Sequence, residues 1–149
     1  MMRNPASLLN ANFSAGAAGV GFTVGSVAKT NGSLEVVDTF DITDSGLATV
    51  GQIANKVGRT TGWSQGLVTR TCTHTGVSAS NIVLLCQDFV ESSVQIVAGG
   101  DSGSPVFRIA GGNRVTLLGS LWGGNASGTL FVYSPIASIE SELGSLMTH

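Results

Sequence analysis

The chain has 149 residues, 42% of them apolar and 11% charged, with a formal net charge of −2 from 7 basic and 9 acidic side chains. That length suits one domain with a real core, and that apolar share excludes a disordered chain. A weakly acidic balance without a basic cluster argues against nucleic acid as a partner, and no apolar run approaches the ~18 residues of a membrane span, so no membrane partner is expected either.

Met1-Met2-Arg3-Asn4-Pro5 leads only into Leu8-Leu9, which is not a signal-peptide core. The first stretch, rich in Ala, Gly and Asn, carries the weakest pattern and reads as a poorly ordered lead-in. Most of the sequence is all-β in its spacing, with short β-branched runs at Gly19 to Val24, Ser33 to Val37, Leu67 to Cys72, Ile82 to Cys86, Arg114 to Leu118 and Thr129 to Tyr133. Turn signals stand between them at Asn31-Gly32, Gly111-Gly112-Asn113 and Gly123-Gly124-Asn125. The second of these closes a hairpin between Val106 to Ala110 and Arg114 to Leu118. Asp38, Asp41 and Asp44 form a polar stretch before the main run of strands.

Cys72 and Cys86, the two cysteines, lie in the strand-like segments Gly66 to Thr73 and Asn81 to Gln87 and could face each other across a hairpin. A disulfide there closes a loop worth roughly 3 kcal/mol in an oxidising compartment; the alternative is two buried free thiols. With only His74 nearby they fall short of a zinc set, so no metal and no cofactor are expected. From Pro135 the pattern changes. Ile136, Ile139, Leu143 and Leu146 fall at helical spacing, with Ser134 as N-cap and Glu140 and Glu142 on the wetter side.

The chemistry sits in Gly100-Asp101-Ser102-Gly103-Ser104-Pro105. A serine hydroxyl is a poor nucleophile unless a base takes its proton and positioned donors meet the developing oxyanion. Gly100, two residues before Ser102, lets the backbone come close, so the N–H groups of both could converge on one oxygen. Gly, Asp, Ser and Pro are also ordinary turn residues, so the hexapeptide alone is equally a β-turn. An α/β-hydrolase elbow fits poorly. It needs Gly-x-Ser-x-Gly before a helix, whereas Ser104 replaces the last glycine and Val106 to Ala110 reads as a strand.

Taken together, four segments resemble the C-terminal half of the chymotrypsin-like (trypsin-like) serine proteases, closest to their bacterial members. They are Lys56-Val57-Gly58-Arg59-Thr60-Thr61-Gly62-Trp63, the Ser102 hexapeptide, Gly119-Ser120-Leu121-Trp122-Gly123-Gly124, and Val132-Tyr133-Ser134-Pro135, in the family's order and spanning roughly Val50 to Leu143. The hexapeptide departs from the family's Gly-Asp-Ser-Gly-Gly-Pro only at Ser104. The resemblance implies an antiparallel six-stranded Greek-key β-barrel with a short C-terminal helix over residues 46–149. Residues 1–45 would be a partial N-terminal segment and interbarrel connection.

The resemblance also implies roles. Ser102 is the nucleophile, Gly100 and Ser102 form the oxyanion hole, and Asp101 is a buried carboxylate that supports the loop through a cationic partner the sequence does not identify. Trp122 and Gly123 wall the primary specificity pocket, while the backbone from Leu121 to Gly123 holds the substrate as an added strand. Ile96 stands where relatives that cleave after Arg or Lys carry an aspartate, so a small or apolar preference is expected. Ala98 stands where many relatives have a cysteine.

A triad also needs a histidine and an aspartate. His74 and His149 lie outside the family's histidine context and read as solvated, and no aspartate motif surrounds Asp38, Asp41 or Asp44. The sequence therefore points to a serine-type endopeptidase of which this chain carries the nucleophile half, weak or inactive alone. Its partners would be a peptide or protein substrate and either a first barrel or a second copy on the exposed barrel face. The full-length protein is expected to be secreted. The alternatives are a non-catalytic peptide-binding module and a structural β-domain.

Overall fold

The computed structural model describes residues 40–145. The expected strands at Gly19 to Val24 and Ser33 to Val37, the Asn31-Gly32 turn, Asp38, Leu146 and His149 lie outside them. Seven strands and one helix follow in order: β1 (Asp41–Ser45), β2 (Ile53–Gly58), β3 (Gly62–Gly76), β4 (Val83–Glu91), β5 (Pro105–Gly111), β6 (Arg114–Gly124), β7 (Leu130–Pro135) and α1 (Ile136–Leu143).

Hydrogen bonding runs round a ring of six antiparallel strands, β2–β3–β4–β7–β6–β5 and back to β2. β1 adds outside the ring, parallel to the first half of β6, a pairing that the sequence does not announce. β6 therefore serves two neighbours along one edge, β1 through Arg114 to Leu117 and β7 through Gly119 to Gly124.

Strand alternation sorts the apolar residues onto two layers. Ala54, Val68, Val90, Val106, Leu118, Leu121, Phe131 and Tyr133 point into the ring and pack with Ile96 and Val97 from the β4–β5 connection. The opposite face of the same strands carries Val57, Trp63, Phe107 and Val115, covered by Phe40. The Phe40 ring stands edge-on to Trp63 with centroids 4.9 Å apart, a favoured geometry for an aromatic pair. The Trp63 indole N–H donates to Asn55 Oδ1 at 3.0 Å, so its polar edge is satisfied within that layer.

The β5–β6 hairpin turns through Gly112-Asn113 as expected, with Gly111 opposite Arg114. β3 and β4 form a longer hairpin joined by the Cys72–Cys86 disulfide. Both cysteines have φ near +50° (49° and 54°), and the ladder skips register beside them, so each sits at a bulge. His74 is exposed on this hairpin, where its Nδ1 accepts the Cys86 N–H at 3.1 Å.

Two details of the C-terminal helix differ from expectation. Pro135, not Ser134, occupies the N-cap of α1, and no side chain caps it, because the Ser134 hydroxyl is turned to Gln87 Oε1 at 2.8 Å. Ile136 is buried, but Leu143 is 77% exposed: the helix is docked by its first turn and its end is not packed on the ring. Among the described residues no helix is long and apolar enough to cross a membrane.

Candidate active site

Lys56 lies on the inward face of β2, two residues from Ala54, and its side chain is fully buried. A buried ammonium must be paired, and Asp101, also fully buried, meets it with Nζ to Oδ2 at 3.1 Å. The lysine also donates to the Gly62 carbonyl at 3.1 Å and to the Thr61 hydroxyl. This is the cationic partner that the sequence left unidentified. Its signal was present all the same: a lysine shares the period-two face of an apolar strand.

The carboxylate is saturated with donors. Oδ1 accepts the Thr60 and Thr61 N–H groups at 2.7 and 3.0 Å, and Oδ2 accepts the Thr61 hydroxyl at 2.5 Å and the Ala98 N–H at 3.0 Å. Burial pushes the Asp101 carboxyl up, yet the Thr61 hydroxyl, the Lys56 charge and the Thr61 and Thr60 amides outweigh it and hold the group below the usual carboxylate range. Burial pulls the Lys56 ammonium below the usual lysine range, with Asp101 opposing.

The consequence for pH follows from proton counting. An unfolded aspartate titrates near ~3.9, so just below that pH the unfolded chain binds a proton that the folded one refuses. The stabilisation from Asp101 is thus complete above the unfolded value and disappears as pH falls through the lower folded value. Urea midpoints measured between pH 7 and pH 3 are expected to fall steeply at the acid end for the wild type and less steeply for Asp101→Asn.

Fastened at Asp101, the loop turns back on itself. Gly100 has φ +96°, and a Cβ there would meet Thr60 Oγ1 at 2.5 Å, so both the conformation and the space call for glycine. Gly103 N–H donates to the Leu121 carbonyl at 2.7 Å, Leu121 N–H donates to the Ser104 carbonyl at 2.9 Å, and the Ser104 hydroxyl donates to the Asp101 carbonyl. Ser102 is left exposed at the turn, with Oγ donating to the Trp122 carbonyl at 3.3 Å. Among the described residues, neither the Gly100 nor the Ser102 N–H donates to another group.

A cavity of ≈ 210 Å³ opens beside Ser102, lined by Val97, Ala98, Gly99, Leu121, Gly123, Gly124 and Asn125 as well as Ser102 itself. Its lining carries no charge. Next to it, β6 has a free edge. β5 follows β6 only as far as Pro105 opposite Ser120. Asn125 N–H donates to the Leu130 carbonyl, so the adjacent Gly124–Phe131 pair is of the non-bonded kind. The Gly124 N–H and C=O therefore face away from β7.

Ser102, Leu121 and Gly123 thus line one cavity, while Gly100 and the buried Asp101 adjoin Ser102 in the loop without lining it. Three expectations are not met: the Leu121 N–H and C=O are spent on Ser104 and Gly103, so the free edge lies at Gly124 and not along Leu121 to Gly123, and neither the Ile96 nor the Trp122 side chain takes its expected place. Ile96 is packed in the core at 0% exposure and presents its carbonyl to Ser64 Oγ at 2.6 Å; the neighbouring Val97 is the residue that reaches the cavity. The Trp122 ring is not a wall of the cavity, because β6 shifts register between Leu121 and Gly123 and swings the indole onto Gln87, with its N–H donating to Oε1 at 2.7 Å. Only the Trp122 carbonyl reaches Ser102. Gln87 was not anticipated; it is buried and holds both Trp122 and Ser134.

No protein-family model and no curated protein matches the sequence. Solved structures do. A glutamic acid-specific serine protease that uses a histidine triad in substrate binding matches with a TM-score of 0.60 at 24% identity, over 72% of this chain and 54% of that one. Protease A of Thermobifida fusca matches with a TM-score of 0.60 at 25% identity, over 76% and 57%. The chymotrypsin of Cellulomonas bogoriensis matches with a TM-score of 0.57 at 22% identity, over 74% and 57%. The fold of this chain is therefore chymotrypsin-like, and the chain spans little more than half the length of these proteins.

Proposed function

We propose that this chain, with its chymotrypsin-like fold, is the nucleophile-bearing part of a serine endopeptidase. Its six-stranded ring is the C-terminal barrel of that enzyme, with Phe40 and β1 packed on it. The observation that carries this reading is the Ser102 hydroxyl at the mouth of the uncharged cavity, on a loop whose Gly100 and Ser102 N–H groups are unspent. Ser102 Oγ attacks the scissile carbonyl, a base removes its proton, and the two N–H groups stabilise the oxyanion. The C–N bond then breaks, the leaving amine takes the proton, and water releases the acyl group from Oγ.

The side chain before the cleaved bond enters the cavity, whose neutral lining suits an apolar or small residue and offers no opposite charge to Arg, Lys or Glu. The flanking peptide pairs with the free edge at Gly124. The base must come from elsewhere, since among the described residues the one histidine, His74, is engaged by Cys86 on the β3–β4 hairpin. A form of the protein supplied with a histidine and an aspartate is expected to be labelled at Ser102 by a fluorophosphonate probe and to lose all labelling in Ser102→Ala. Absence of labelling in that form rejects the reading. The same lack of a base beside Ser102 favours a second one, in which the cleft binds peptide without cleaving it.

A further inference from the structure

We infer that the cleft beside Ser102 captures peptides by their free C-terminal carboxylate. Two backbone donors, the Gly100 and Ser102 N–H groups, stand unspent at the turn. Beside them is an exposed cation: a Cβ built on Gly100 would lie 3.7 Å from Arg59 Nη1. Arg59 makes no ion pair among the described residues. The nearest carboxylate in the loop, Asp101, is already saturated by Lys56, Thr60, Thr61 and Ala98. Two unspent amide donors on one turn with a guanidinium beside Gly100 offer an anion with two oxygens both neutral and charge-assisted donors, the latter roughly twice as strong.

Geometry supplies the rest of the ligand. The uncharged cavity beside Ser102 takes the last side chain, and the Gly124 N–H and C=O, facing away from β7, pair with the residues before it. The ligand class is therefore an extended peptide with a small or apolar last residue and an ionised terminus. A main-chain amide at the same place lacks the charge. The inference rests on reading Gly100 and Ser102 as oxyanion donors, but it requires neither a base nor a nucleophile, so the chain performs it as it stands.

The test is fluorescence anisotropy of this chain with dye-labelled Ala-Ala-Val-Ala-Leu ending in a carboxylate and the same peptide ending in an amide. The carboxylate form is expected to bind ~10-fold or more tightly than the amide, about the worth of one charged contact. Arg59→Gln should erase most of that difference. Equal affinities for the two peptides would overturn carboxylate capture and leave the cleft standing as a peptide site. Binding of neither peptide would overturn both. A preference for the carboxylate that survives Arg59→Gln and Gly100→Ala would place the anion elsewhere and also overturn the inference.

Discussion

Lys56→Ala is expected to lower the free energy of unfolding by about 3–5 kcal/mol, the usual cost of stripping a buried charge of its partner. The truncation removes the one ammonium beside Asp101, whose carboxylate is fully buried. It also opens a hole where the lysine stem lay inside the ring. The four remaining donors to Asp101 keep its carboxylate hydrogen-bonded but do not neutralise it. Domains of this size have only about 5–15 kcal/mol of stability, so the variant should be marginal at room temperature. Urea titration followed by tryptophan emission measures the loss. Lys56→Met with Asp101→Asn should recover part of it, because the volume is refilled and the unpaired charge removed. A Lys56→Ala midpoint equal to the wild type would mean that Asp101 finds water in the folded state.

Gly119→Ala should cost about 3 kcal/mol for a different reason, steric conflict with backbone. Gly119 lies in β6 where both neighbours meet it, opposite Val106 of β5 and Pro135 of β7. A Cβ there would stand 2.0 Å from the Ser134 carbonyl oxygen and 2.7 Å from Tyr133 Cδ2. A flexible side chain could turn aside, but a strand carbonyl cannot, so β7 must move away from β6. That movement opens the ring at its closing seam and drags on Ser134, which holds Gln87 and through it Trp122. Gly99→Ala is the matched control, since no atom lies within 4 Å of its Cβ; it should leave stability within about 0.5 kcal/mol of wild type. Thermal unfolding of the two variants side by side decides between them, and equal melting temperatures would reject the steric account.

The strands were legible because Val, Ile, Thr and aromatic residues recur in short runs between Gly and Asn, and the β5–β6 hairpin because Gly-Gly-Asn can only be a turn there. The turn at Ser102 was legible because Gly, Asp, Ser and Pro crowd residues 100 to 105, and Gly100 there adopts a positive φ. Each unread feature involves contact between distant segments or broken alternation. Lys56 and Asp101 are separated by 45 residues, and their meeting depends on where the β4–β5 connection crosses the end of the ring. Trp122 sits at a register shift, so the period-two rule that assigns faces fails at that residue. Ile96 and Val97 are adjacent apolar residues in a segment without strand periodicity, so nothing local says which of the two also reaches the cavity. The parallel pairing of β1 has no local turn to announce it.

The Lys56–Asp101 pair has one more implication, for portability. Among the described residues, every group whose hydrogen bond or charge fastens the Asp101 carboxylate belongs to the segment from Lys56 to Ala98. The carboxylate that anchors the loop is therefore held by the ring's own strands and connections. A split system, in which a companion polypeptide contributes only the proton acceptor, would need docking between two finished surfaces and no refolding of the part that bears Ser102.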